Sequence, residues 1–187
     1  MGQSSALHAS RVKDRRVLRV RAPAKINLGL EVGRLRADGF HEVETLLARI
    51  NLYDDLDLEL TGQGIRLELI DSRLAGHDEV PGGPENLAIR AALLFRDYFG
   101  WPKGLLIALT KRIPLGAGLG GGSSDAAAVL KGLSKLYPGH LARLDLFRLA
   151  GELGSDVPFF LISGACRAQG RGEILTPVKL PKLHLLL

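Results

Sequence analysis

From residue 17 to residue 70, apolar residues alternate with polar or small ones at period two, the spacing of strands with one buried face. The pattern predicts strands at Val17–Val20 and Lys25–Val32, the latter burying Ile26, Leu28, Leu30 and Val32. Asp38-Gly39 marks a turn into a strand over Val43–Ile50. Asp54–Leu60 alternates again with Leu56, Leu58 and Leu60 on one face, and Gly64–Ile70 continues it. After the turn cluster Pro81-Gly82-Gly83-Pro84 the period changes: Leu87, Ala91, Leu94 and Tyr98 are spaced as one face of a helix over Asn86–Phe99. A strand at 105–109, a glycine-rich loop, and helices near 123–136 and 142–153 follow. Strands thus give way to helices without regular βα alternation, which predicts an α+β fold rather than a doubly wound parallel sheet. Pro181–Leu187 reads as the opening of a buried strand. That reading makes the chain truncated, and an unfinished apolar edge predicts self-association.

The densest chemistry lies between the strand at 105–109 and the next helix. Pro114-Leu115-Gly116-Ala117-Gly118-Leu119-Gly120-Gly121-Gly122-Ser123-Ser124 runs into an alanine-rich helix beginning near Asp125. Glycine permits positive φ and lets an anion approach backbone N–H groups, and a helix start adds its own free N–H groups and dipole. Ser123 or Ser124 is placed to cap that helix. A Walker A loop is excluded because Ser123, not lysine, follows Gly122. A dinucleotide fingerprint traced through Gly116, Gly118 and Gly121 fails because Lys111-Arg112-Ile113-Pro114 separates strand from loop. A flexible linker would not be followed at once by Ser-Ser-Asp and a helix.

Charge and composition narrow the function classes. The formal net charge is +5, and residues 1–21 account for all of it, so they form a basic extension on a neutral body. No basic stripe interleaved with aromatics occurs in that body, which argues against nucleic acid as a partner. No apolar run reaches the roughly 20 residues that span a bilayer, so no membrane partner is expected. The single cysteine, Cys166, rules out an internal disulfide and suits a reducing cytoplasm.

Three further stretches carry candidate chemistry. Pro23-Ala24-Lys25-Ile26-Asn27-Leu28 sets Lys25 and Asn27 on one side of a strand, as a working pair or a solvated polar face. Asp38-Gly39-Phe40-His41 offers a ring beside an imidazole, suited to clamping a flat base or to a core phenylalanine with a surface histidine. Gly154-Ser155-Asp156-Val157-Pro158-Phe159-Phe160 sets one carboxylate against an apolar run, as a turn cap or a group held for proton transfer.

Together, in this order, these motifs resemble the GHMP small-molecule kinases, over about Ala22 to Leu187. The resemblance implies a domain of the ribosomal protein S5 domain 2-like type at residues 22–187, with a ferredoxin-like C-terminal domain absent. It implies transfer of the γ-phosphoryl of ATP to an alcohol, aided by Mg²⁺, and the Lys-Ile-Asn, Gly-Phe-His and Asp-Val-Pro-Phe-Phe stretches point to a cytidine-diphosphate-linked methylerythritol as acceptor. On that reading the glycine loop, Asn86 and Lys111 meet ATP, with Ser123 or Ser124 near the metal. Asn27, Phe40 and His41 meet the acceptor, and Asp156 and Lys25 serve its reacting hydroxyl. Members usually carry tyrosine where Phe40 stands, so the ring is kept and a hydroxyl lost. The rival readings are another GHMP kinase acting on homoserine or mevalonate, and a nucleotide-binding module without activity.

Overall fold

The computed structural model describes residues 17–37, 39, 41–71, 80–101, 103–137 and 143–186, the side chain of Arg143 excepted. The strands expected between residues 17 and 60 merge into two. β1 (Val17–Leu35) and β2 (His41–Thr61) form one long antiparallel hairpin. Register slips between Pro23 and Lys25, and between Asn27 and Gly29, interrupt the pairing without ending either strand.

The other edge of β2 is divided. Asp55–Thr61 pairs with β4 (Gly104–Thr110), and Thr45–Leu47 pairs with β5 (Ala165–Gln169). β3 (Ile65–Asp71) runs parallel to β4, and β6 (Ile174–Val178) antiparallel to β5. The sheet order is therefore β3-β4-β2-β5-β6, with β1 paired to β2 alone. Four helices complete the fold: α1 (Leu87–Phe99), α2 (Gly121–Leu136), α3 (Arg143–Leu153) and the short α4 (Val157–Leu161). The mixed sheet with helices segregated from most of its strands is the expected α+β class. No described helix is long and apolar enough to cross a membrane.

The predicted inward face of β2 is correct: Leu56 and Leu58 are fully buried, while Asp57 faces outward and pairs with Arg19 at 2.7 Å. Helix α2 lies against this face and is built for close approach. A Cβ at Gly132 would fall 2.2 Å from Leu58 Cδ1, so only glycine lets the helix seat there. Three expectations change. The buried stripe of α1 runs through Ala88, Ala91, Ala92 and Phe95, rotated from the predicted Leu87, Leu94 and Tyr98, because Phe95 enters a ring cluster with Phe99 and Trp101. Leu28, Leu30 and Val32 are exposed at 36%, 57% and 62%, since from Asn27 onward the hairpin runs past the helices that cover Ala22–Lys25 of β1. Residues 179–186 form no strand: among the described residues none pairs with them, and Leu186 is fully exposed.

Candidate active site

Between the end of β4 and the start of α2 the chain wraps a hollow of about 220 Å³ lined by Lys111, Leu87 and the loop from Pro114 to Ser123. Gly116, Gly118 and Gly120 hold φ of 68°, 72° and 70°, the left-handed region where a side chain is strained. Gly120 itself is the N-cap of α2, with no side-chain capping bond. The expected serine cap is therefore corrected, because the helix starts earlier and places both serines in its first turn. Ser123 lines the hollow. Ser124 is buried, and its Oγ finds no hydrogen-bond partner among the described residues.

The loop is tied directly to β1. Lys25 N–H, released from the ladder at the register slip, donates to Leu119 C=O at 2.9 Å. A Cβ at Gly120 would lie 2.9 Å from Phe160 Cζ and 3.0 Å from Lys25 Cγ. The glycine is thus required by the neighbouring cation as much as by any anion. Lys25 is buried, and its ammonium donates to Asn27 Oδ1 at 2.7 Å while standing 3.6 Å from Asp156 Oδ2. Asp156 occupies the N-cap of α4, yet its carboxylate makes no capping bond. That leaves it facing the ammonium, half-exposed, beside the loop. The structure thus brings Lys25, Asn27, Asp156 and the glycine loop together.

Lys111 lines the hollow, but its ammonium is engaged by carboxylates. Its Nζ donates to Asp54 at 2.5 Å and Asp125 at 2.6 Å, and the side chain is only 2% exposed. Burial acts to lower its pKa, but the two carboxylates outweigh that and hold it above the ordinary lysine value. One ammonium cannot balance two buried carboxylates. Burial pushes Asp125 up to about 8, Lys111 opposing the rise and Asp54 adding to it. Asp54 also accepts the N–H groups of Arg112 and Ile113, fixing the turn that leads into the loop. The triad thus anchors both ends of the cradle. Sequence reasoning missed Asp54 and Asp125, although a signal existed: Asp54 shares the inward parity of Leu56, Leu58 and Leu60, where an unpaired charge would be untenable.

Asn86 is likewise occupied, as the N-cap of α1. Its Oδ1 accepts from Ala88 N–H, and its Nδ2 donates to Pro81 C=O. Its amide is spent on its own turn, while its neighbour Leu87 lines the hollow. Arg49 was also missed. It is the strand partner of Lys25, and its Nη2 donates toward the carbonyls of Phe159, Phe160 and Ile162, gripping the end of α4 opposite Asp156. His41 stands apart near the hairpin tip. It lies eight residues along β2 from Arg49, a span of at most about 27 Å in an extended strand. Its Nδ1 is 3.0 Å from Gly33 C=O, which only accepts, so Nδ1 donates. Phe40 lies outside the described residues. A larger cavity, about 940 Å³, opens between Ala48–Leu52 of β2 and residues 178–185 and contains none of the predicted site residues.

The described residues thus combine a glycine-rich loop with positive-φ turns, opening a buried helix, with a lysine that faces an aspartate. Residues 86–164 match the GHMP kinases N terminal domain. It is 50% identical over 156 residues to the 4-diphosphocytidyl-2-C-methyl-D-erythritol kinase of Methylacidiphilum infernorum, covering 83% of this chain and 53% of that protein. With the kinase of the same name from Thermus thermophilus it shares 51% identity over 160 residues, 86% of this chain and 53% of the relative. A crystal structure of 4-(cytidine 5'-diphospho)-2C-methyl-D-erythritol kinase superposes with a TM-score of 0.75 at 49% identity, over 88% of this chain and 56% of that one. The chain spans about half the length of the curated relatives it matches.

Proposed function

We propose that this chain carries the ATP site and the acceptor-activating groups of a kinase that phosphorylates a hydroxyl of 4-diphosphocytidyl-2-C-methyl-D-erythritol. Its nucleotide-binding part, expected at residues 22–187, takes in residues 17–21 as well, since β1 starts at Val17 and pairs with β2 from there, and it works in the cytoplasm. The observation that carries the reading is the juxtaposition of cradle and pair: Lys25 donates its backbone N–H to the glycine loop and sets its ammonium 3.6 Å from Asp156. Phosphoryl transfer is mostly positioning and charge stabilisation. The loop N–H groups and the start of α2 bind phosphate oxygens. Asp156 accepts or orients the proton of the attacking hydroxyl, and Lys25 stabilises charge building on the transferred group. Asn27, bonded to Lys25, holds the acceptor beside them.

The metal fits in one way only. Among the described residues no cluster of His, Cys, Asp or Glu forms that could hold an ion. Ser124 is too buried to reach one, leaving the Ser123 hydroxyl on the hollow. The Ser123 hydroxyl would be the protein group beside a Mg²⁺ carried on the nucleotide phosphates, and such an ion would supply positive charge to offset that of the transferring group. Phe40 is proposed to stack on the cytosine and His41, near the hairpin tip, to bond its edge.

A competition assay tests the acceptor. With ATP supplied, the chain as given and a chain extended to the relatives' full length are offered the cytidylyl alcohol, homoserine and mevalonate in parallel. Preference for the cytidylyl alcohol is expected. Equal or greater transfer to either smaller alcohol would assign the site to another GHMP activity, and ATP binding without any transfer in both chains would leave only a nucleotide-binding module.

A further inference from the structure

Thr45 lies in the middle of β2 at 6% exposure, too buried to meet a ligand. Its hydroxyl nevertheless joins the acceptor site. Thr45 Oγ1 donates to Gly29 C=O at 2.7 Å, Asn27 Nδ2 donates to Thr45 Oγ1 at 2.8 Å, and Lys25 Nζ donates to Asn27 Oδ1 at 2.7 Å. The polarity of this chain is fixed by elementary chemistry. A hydroxyl has one proton, and a carbonyl only accepts; with that proton committed to Gly29, Thr45 can only accept from Asn27. An ammonium only donates, so the amide must turn its oxygen to Lys25. The Gly29 bond falls at the register slip between Asn27 and Gly29, where the ladder is already interrupted.

We infer that Thr45 is a positioning residue of the acceptor site, locking the Asn27 amide so that its oxygen holds Lys25 and its second Nδ2 hydrogen is presented to an oxygen of the acceptor. The inference rests on the kinase reading above. It makes the second Asn27 Nδ2 hydrogen and the Lys25 ammonium donors on the strand-borne part of the site, suited to hydroxyl and phosphate oxygens. It also gives Lys25 a second fixed contact, independent of Asp156.

Thr45→Val keeps the shape and deletes the hydroxyl, and Thr45→Ser restores it. In steady-state assays on the full protein, Thr45→Val should raise the acceptor KM about tenfold, the scale of one ordered hydrogen bond, and leave the ATP KM unchanged. Thr45→Ser should behave as wild type. A second readout needs no turnover: the Asn27 side-chain amide, followed by NMR, should exchange slowly in wild type and Thr45→Ser and fast in Thr45→Val. If wild type fails to phosphorylate the acceptor, the kinase reading falls and the amide exchange alone decides the relay. Unchanged exchange in Thr45→Val would overturn the inference. So would equal loss toward both substrates with a lowered Tm, which marks a merely structural threonine.

Discussion

Replacing Asp125 with asparagine should flatten the pH dependence of this chain's stability. In the folded chain the buried carboxyl holds its proton up to about pH 8, against an ordinary value of 3.8. Between those limits the folded state binds a proton that the unfolded state has released. Stability is therefore fullest below 3.8 and declines as pH rises toward 8. A full proton of difference is worth about 1.4 kcal/mol per pH unit, so on the order of 2–3 kcal/mol should be lost between pH 5 and pH 7. Asparagine has nearly the same shape, can still accept from Lys111 through its carbonyl, and cannot titrate. Urea denaturation at pH 5, 6, 7 and 8, followed by circular dichroism, measures both proteins. The variant should gain on wild type as pH rises. Parallel pH profiles for the two proteins would refute the assignment of the proton to Asp125.

Three other substitutions separate the roles argued above. Gly120→Ala, at φ 70° and with its Cβ 2.9 Å from Phe160, should cost about 1–3 kcal/mol and distort Lys25, read as a lowered Tm. At Gly122→Val the Cβ meets only Leu87 Cδ1 at 3.6 Å, so this variant should keep its Tm and lose ATP affinity by calorimetry; undiminished affinity would remove the phosphates from the loop. Phe40→Ala should weaken the cytidylyl acceptor by roughly one to two decades with ATP unaffected, as expected of a lost base stack; equal loss for both ligands would make the ring a core residue.

The sequence carried the strand periodicity of the sheet's first half because Leu56, Leu58 and Leu60 alternate cleanly over a single covered face. It concealed that two predicted strand pairs are single strands: Pro23 resembles a break but sits at a register slip within β1, and residues 51–53 continue β2 without interruption. β5 and β6 were not legible at all. Only Ala165, Cys166 and Ala168 are buried there; β5 is a short alanine-containing strand, and β6 carries Pro177 and leaves Ile174 exposed. In the site, the glycine loop and the Lys25–Asp156 pair were readable from residue type and motif. The occupation of Lys111 and Asn86 was not, because it depends on partners distant in sequence, Asp54 above all. Thr45 and Arg49 were invisible for the same reason: their hydroxyl and guanidinium acquire meaning only when β2 aligns them with Asn27 and α4.

Transfer of labelled γ-phosphoryl from ATP to 4-diphosphocytidyl-2-C-methyl-D-erythritol, by wild type and by Asp156→Asn in the chain extended to the relatives' length, tests the central claim most directly. Asp156 makes no capping bond, so its amide should fold with an unchanged Tm and bind both substrates. Its turnover should fall at least about a hundredfold, the usual cost of a lost general base. Wild-type turnover in Asp156→Asn, or no label in the acceptor with either protein, would contradict the account.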